Sequence, residues 1–248
     1  MGVFRRLVWV ALCAGLLAGA VVAAAHQLGT VPLILRAEVY EKAAGEAAPA
    51  HVHDHAEHAA AGEAHGWEPE NGLERTAYTL VADLLTGVGF ALLLAAGLAL
   101  QDGAVTWRTG LFWGLAGFAT FTVAPGLGLP PALPGTEAAP LAARQLWWMA
   151  TAAATGGGLA LLAFTRRWPW AVIGAALIVS PHVWGAPLPA GHHAAAPESL
   201  ARQFVAAATI ASFLFWLVLG ASTGFFYGRL RRSRNPAQRA VRNSRNAG

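Results

Sequence analysis

Residues 204–227 read FVAAATIASFLFWLVLGASTGFFY, a run without a single charged side chain. At 1.5 Å per residue a helix of that length crosses the roughly 30 Å hydrocarbon core of a bilayer, where only a helix satisfies the backbone of a single segment. Seven arginines follow between Arg229 and Arg245. An apolar run closed by an arginine cluster is a membrane span with its orientation signal attached.

The same reading extends towards the N-terminus. Apolar runs cover Trp168 to Val183, Leu146 to Phe164, Trp107 to Ala124, Tyr78 to Leu100 and, after Arg5-Arg6, Leu7 to Ala25. The runs from Trp107 and Trp168 are short, which little tilt or local thinning accommodates. With 56% hydrophobic and 12% charged residues, the composition lies far from the globular balance. The expected fold is an all-α integral membrane protein of about six transmembrane helices, five if the first is cleaved, with a His-rich extracytoplasmic loop. Residues 1–36 form the first helix or a signal anchor, 37–77 the His-rich loop, 78–228 the remaining bundle of about five helices, and 229–248 a basic tail. The Ala23-Ala24-Ala25 ending suits cleavage before His26, whereas the apolar continuation Leu28 to Leu35 and the Gly15/Gly19 spacing favour retention. Retention is expected.

Orientation follows from the basic residues. With both termini on one side, Arg5, Arg6, Arg108, Arg166, Arg167 and the tail arginines share that side, 12 of the 17 basic residues. Lys and Arg accumulate in cytoplasmic loops, so both termini are expected in the cytoplasm. The acidic residues other than Asp83 and Asp102 fall on the opposite face, which therefore attracts cations. The net charge of +4 is then an orientation signal, and no nucleic-acid partner is expected. The lone cysteine, Cys13, rules out an intrachain disulfide or thiolate site.

Several features are structural. Gly110/Gly114 and Gly220/Gly224/Gly228 offer close helix packing. Trp107, Trp113, Trp147, Trp148, Trp168, Trp170 and Trp184 stand near span ends, as an interfacial belt requires. Leu73-Glu74-Arg75-Thr76, Leu141-Ala142-Ala143-Arg144-Gln145 and Leu200-Ala201-Arg202-Gln203 precede the second, fourth and sixth spans, either as a weak repeat or as headgroup anchors. From Ala124 to Gly135 the density of Pro and Gly is expected to stop the helix and give a rigid lid, a re-entrant turn or a plain connector.

The chemistry lies in the histidines. His51, His53, His55, His58 and His65 crowd an Ala/Glu-rich segment, where four of them share a helical face. Imidazole interspersed with carboxylate suits borderline divalent metals, without the spacing of a closed structural zinc site. A disordered spacer is the bland alternative. His26, His182, His192 and His193 complete the nine histidines, all on the external half. Asp83 sits inside a span, where a carboxylate defaults to function, either converging with His26 and His182 on a divalent cation or pairing with Arg75, Arg144 or Arg202. The chain has no G-x-x-x-x-G-K-[ST] loop, and its only lysine is Lys42. Membrane potential would favour inward movement of a divalent cation by about 4.6 kcal/mol at about 100 mV.

Val31 to Glu41 after Phe4-Arg5-Arg6, Leu85-Thr86-Gly87-Val88-Gly89-Phe90-Ala91-Leu92, Gly126-Leu127-Gly128-Leu129-Pro130-Pro131, Ala143 to Trp148, Pro181-His182 with Gly185-Ala186-Pro187, and Ala201-Arg202-Gln203-Phe204 together resemble the CbtA family of predicted cobalt transporter subunits. The resemblance spans nearly the whole chain and ends before the Arg-rich tail. It implies a bacterial inner-membrane subunit for Co²⁺ uptake linked to cobalamin synthesis, about five spans, and a small single-span partner, CbtB, bearing its own histidines. Imidazole and carboxylate accept Ni²⁺ and Zn²⁺ as well. The expected function is a Co²⁺ permease subunit with no enzymatic activity, its external histidines capturing metal and its helices passing it inward; homo-oligomerisation stays open. The alternatives are a membrane-anchored periplasmic metal-binding or sensor protein without transport of its own and, third, a membrane enzyme with a His-ligated metal.

Overall fold

A computed structural model describes residues 2–47, 72–101, 103–191 and 194–232. The described chain is helical throughout its apolar runs and contains no strand, only an isolated antiparallel bridge between Thr136 and Ala194. Among the described residues there are eight α-helices: α1 (Val3–Ala25), α2 (Val31–Ala47), α3 (Leu73–Leu100), α4 (Trp107–Phe118), α5 (Ala124–Gly128), α6 (Leu141–Phe164), α7 (Trp168–Trp184) and α8 (Glu198–Arg232). Two π turns, His26–Thr30 and Ala119–Val123, join α1 to α2 and α4 to α5 without a break. Six helical segments therefore cross the bundle. Five are long and apolar enough to span a membrane, and the sixth, α7, has 17 residues.

Both π turns have the same local cause. A proline inside a helix lacks an N–H and crowds the carbonyl four residues back. Here Pro32 and Pro125 each stand two places after a π turn. The residue just before each proline has moved its bond back by one: the Val31 N–H reaches His26 O, and the Ala124 N–H reaches Ala119 O. The wider turn relieves the proline without ending the helix.

This corrects the expectation for residues 124–135. The helix does not stop at Ala124 but continues to Gly128, which makes the third crossing a full 22 residues. At the first crossing the helix likewise runs on to Ala47, through residues expected to begin the loop.

Close packing comes from glycine. In lipid the apolar surface of a helix gains nothing by leaving its surroundings, so backbone approach and dispersion contacts hold helices together. On α1, Gly15 and Gly19 lie directly against the α3 backbone: a methyl on Gly19 would fall 2.7 Å from Leu84 Cα and 2.8 Å from Asp83 O. Gly110 and Gly114 of α4 meet Gly220 and Gly224 of α8, where a methyl on Gly224 would sit 2.7 Å from Gly110 Cα. Gly158 and Gly174 join α6 to α7 in the same way. α1 also contacts α8 through Ala11, Ala14, Ala18 and Val22 against Ala211, Phe215, Trp216 and Leu219. The small residues singled out by their spacing are thus the seams of the bundle.

The two ends of the bundle differ. At one end Arg6 donates to the Tyr227 hydroxyl at 3.2 Å and covers its ring, and Arg231 donates to Gly103 O at 2.8 Å. At the other, Arg75 pairs with Glu38 at 2.7 Å, and the loop after α5 is clipped to the loop after α7. That clip is the Thr136–Ala194 bridge, the Ala195 N–H to Gly135 O bond, and the Glu137 carboxylate accepting from the Gly191 N–H at 3.0 Å.

Tryptophan divides into two groups. Trp107, Trp168, Trp170 and Trp184 are exposed, as a belt requires. Trp113 and Trp147 turn inward instead. The Trp113 indole donates to Gln101 at 3.0 Å, and Trp147, only 8% exposed, occupies space that Gly128 leaves free and donates to Pro181 O at 3.3 Å. Their expected anchoring role is therefore replaced by packing and hydrogen bonding.

Candidate metal centre

His26 opens the π turn. Its carbonyl accepts the Val31 N–H and also the Thr30 hydroxyl, at 3.2 Å. Across the α1–α3 seam, Asp83 stands next to Gly19, whose lack of a side chain lets the Asp83 backbone close in. The two side chains meet with His26 Nδ1 3.0 Å from Asp83 Oδ2. The pair is largely enclosed, 29% and 15% exposed. The other helix at this level is α8, against which the π turn packs at Ala207, and α8 has no ionisable side chain between Arg202 and Tyr227.

With Asp83 as an ionised acceptor, the donor in this pair is Nδ1–H. Nε2 is then the nitrogen left for other partners, and no described residue hydrogen-bonds it. A carboxylate orienting a histidine in this way is the usual support for a metal-binding imidazole. Asp83 is accordingly engaged with His26, while Arg75, one of its expected structural partners, pairs with Glu38 and Arg202 pairs with Glu198.

The third member of the expected convergence lies elsewhere. His182, in the last turn of α7, sits edge-on to Trp147 with ring centroids 6.0 Å apart. Three of the stretches that carry the family resemblance meet there: Gly128, Trp147 with its neighbours, and Pro181-His182 with Ala186. No group of three or more His, Cys, Asp or Glu able to hold a metal occurs among the described residues. His51, His53, His55, His58, His65, His192 and His193 lie outside the described residues.

Glu137 is a residue that sequence reasoning passed over. Its carboxylate is tied to Gly191, the residue before His192 in the chain, and only the pairing of two distant loops makes that visible. Pro32 and Pro125 are the other missed signals, since each marks a π turn.

One oriented imidazole is a single ligand, fewer than a closed metal site assembles. No curated protein and no solved structure matches the chain. Residues 4–228, nearly the whole helical bundle, match the family described as probable cobalt transporter subunit (CbtA), and the chain belongs to that family.

Proposed function

We propose that the chain is the membrane subunit through which Co²⁺ is taken up, with the His-rich segment as collector and the helices as the path. The observation that carries this reading is the His26–Asp83 pair. Apolar helices contain few reasons to keep a carboxylate, and this one orients an imidazole whose second nitrogen has no hydrogen-bond partner among the described residues. In this reading the basic end faces the cytoplasm, and the Glu38, Glu41 and Glu137 end faces outward with the His-rich segment. His182, His192 and His193 belong to that outer face as secondary metal contacts. A small single-span subunit of the CbtB type completes the complex. Ni²⁺ and Zn²⁺ compete at the same imidazoles, because softness and charge distinguish the three ions poorly.

The first apolar helix is retained. Val10, Ala11, Ala14 and Ala18 of α1 are fully buried between α3 and α8, so cleavage after Ala25 would empty the centre of the bundle. Mass spectrometry of the membrane-extracted protein is expected to find peptides from residues 7–25, and a mature chain starting at His26 would refute retention.

Radiolabelled Co²⁺ uptake tests the function. Cells lacking the chain are expected to lose uptake at limiting metal; unchanged uptake would leave the sensor reading in place. Replacing His51, His53, His55, His58 and His65 together by Ala is expected to raise the Co²⁺ concentration for half-maximal uptake and spare the maximal rate. An equal loss at every concentration would argue against a collecting role.

A further inference from the structure

Beyond the His26–Asp83 pair, towards the basic end, four rings fill the space among α3, α8 and the π turn Ala119–Val123. Phe90 stands two turns past Asp83 on the same face of α3. Its centroid lies 5.0 Å from Phe121, 4.9 Å from Trp216 and 6.2 Å from Phe215. Phe121 stacks on Trp216 at 5.6 Å with only 5° between the planes. Phe215 and Trp216 are buried on α8, about two turns past Ala207, the residue that the first π turn touches. Two turns further on, Thr223 is fully buried and its hydroxyl has no partner among the described residues. A polar atom orphaned in an apolar bundle costs free energy, and this one lies about two turns beyond the rings along α8.

Ring packing alone does not explain where the central ring is mounted. Phe121 belongs to the second π turn, whose hydrogen-bond ladder Pro125 has already displaced. The side-chain hydrogen bond from that turn to α8 is a hydroxyl pair, Thr122 with Ser212 at 2.7 Å. Shifting the extra residue along this turn would swing Phe121 off Trp216 and leave both flanking helices intact.

Resting on the transport reading above, we propose that Phe90, Phe121, Phe215 and Trp216 form the inner closure of the Co²⁺ path, with Phe121 as its moving member. An apolar constriction blocks an ion by offering nothing in place of its water. The ion leaves His26 towards Thr223 only when the π turn withdraws Phe121.

The test uses de-energised right-side-out membrane vesicles from cells carrying the whole transporter, loaded with a dye that Co²⁺ quenches. F121A is expected to speed passive Co²⁺ influx by about tenfold, because the stacked contact with Trp216 and the tilted contact with Phe90 that hold the closure shut are lost. F121L, which keeps an apolar plug without the stack, should lie between F121A and the parent and covers the case in which F121A fails to fold. F213A is the control. Phe213 of α8 packs edge-on to Phe118 of α4 at 5.2 Å, beside the same π turn but outside the four rings, so its loss should leave influx unchanged. Influx through F121L equal to the parent, or F213A leaking as much as F121A, overturns the gate. Energised uptake in intact cells separates the two readings: if the parent shows none, transport itself fails, whereas intact uptake with no leak in either Phe121 variant sinks the gate alone.

Discussion

His26→Ala is expected to abolish Co²⁺ uptake almost completely, and Asp83→Asn to lower it by about 10- to 100-fold, the range found when the group orienting a metal-binding histidine is removed. The difference follows from the pair's geometry. On the proposed path His26 offers the nitrogen that meets the ion, whereas Asp83, 3.0 Å from Nδ1, fixes which nitrogen that is. The amide of the Asp83→Asn variant would keep a hydrogen bond but no longer demand the Nδ1–H tautomer, so the imidazole would spend part of its time with the wrong nitrogen protonated. Stability moves differently. His26→Ala strands an enclosed carboxylate, a cost of several kcal/mol when a buried charge loses its partner, reduced here because the pair is partly exposed. The double variant H26A/D83A removes both groups and should recover most of that stability. Uptake decides between path and glue: a pair that merely holds α1 to α3 would let the double variant transport again, and a pair on the path would leave it inactive. Recovered uptake in H26A/D83A would remove both residues from the route.

Gly19→Val is expected to combine misassembly with loss of transport, while Gly220→Val should misassemble the bundle without directly touching the His26–Asp83 pair. A side chain at Gly19 runs into Leu84 Cα and Asp83 O, and at Gly220 its first carbon would stand 2.7 Å from Gly114 Cα. These contacts are with backbone, so no rotamer change relieves them and the helices must part. Overpacking of this kind costs about 1–3 kcal/mol, and more where a seam opens along its length. Thermal unfolding in detergent should show a lowered midpoint for both variants. Residual folded Gly19→Val is then expected to transport poorly because Asp83 has moved, whereas residual folded Gly220→Val should keep its affinity for Co²⁺. Parental midpoints in both would mean that the seams are looser than the structure shows.

Much of this is legible in the residues themselves. The spans declare themselves by length, the glycine seams by their four-residue spacing, Asp83 by the cost of placing a carboxylate in an apolar helix, and His26 by sharing the external half with the other histidines. What stays hidden has two physical causes. In a membrane bundle the face towards lipid is as apolar as the face towards neighbours, so periodicity does not say which side of α4 or α8 turns inward. Phe90, Phe121, Phe215 and Trp216 therefore carry no mark in the sequence that sets them apart, and Trp147 reads as an interfacial anchor. The other cause is proline. Pro125 reads as a stop signal because one dimension of sequence shows the missing N–H and not the wider turn that absorbs it. His182 is grouped with His26 for a related reason: a shared side of the membrane says nothing about lateral position, and α7 packs on α6 rather than on α1.

The π turn at His26–Thr30 also stores the rotational phase of the first crossing in one amino acid. A regular helix would cover the same height with a residue fewer. Closing the ladder four residues back with no residue removed would turn everything after it by about 100°, the angle one residue subtends in a helix. Glu38 would then swing away from Arg75, and the chain leading to the histidines would leave the bundle on another bearing. Along this helix a substitution that frees the ladder at Pro32 therefore re-aims an entire half of the crossing, whereas deleting Gly29 as well would restore the original bearing.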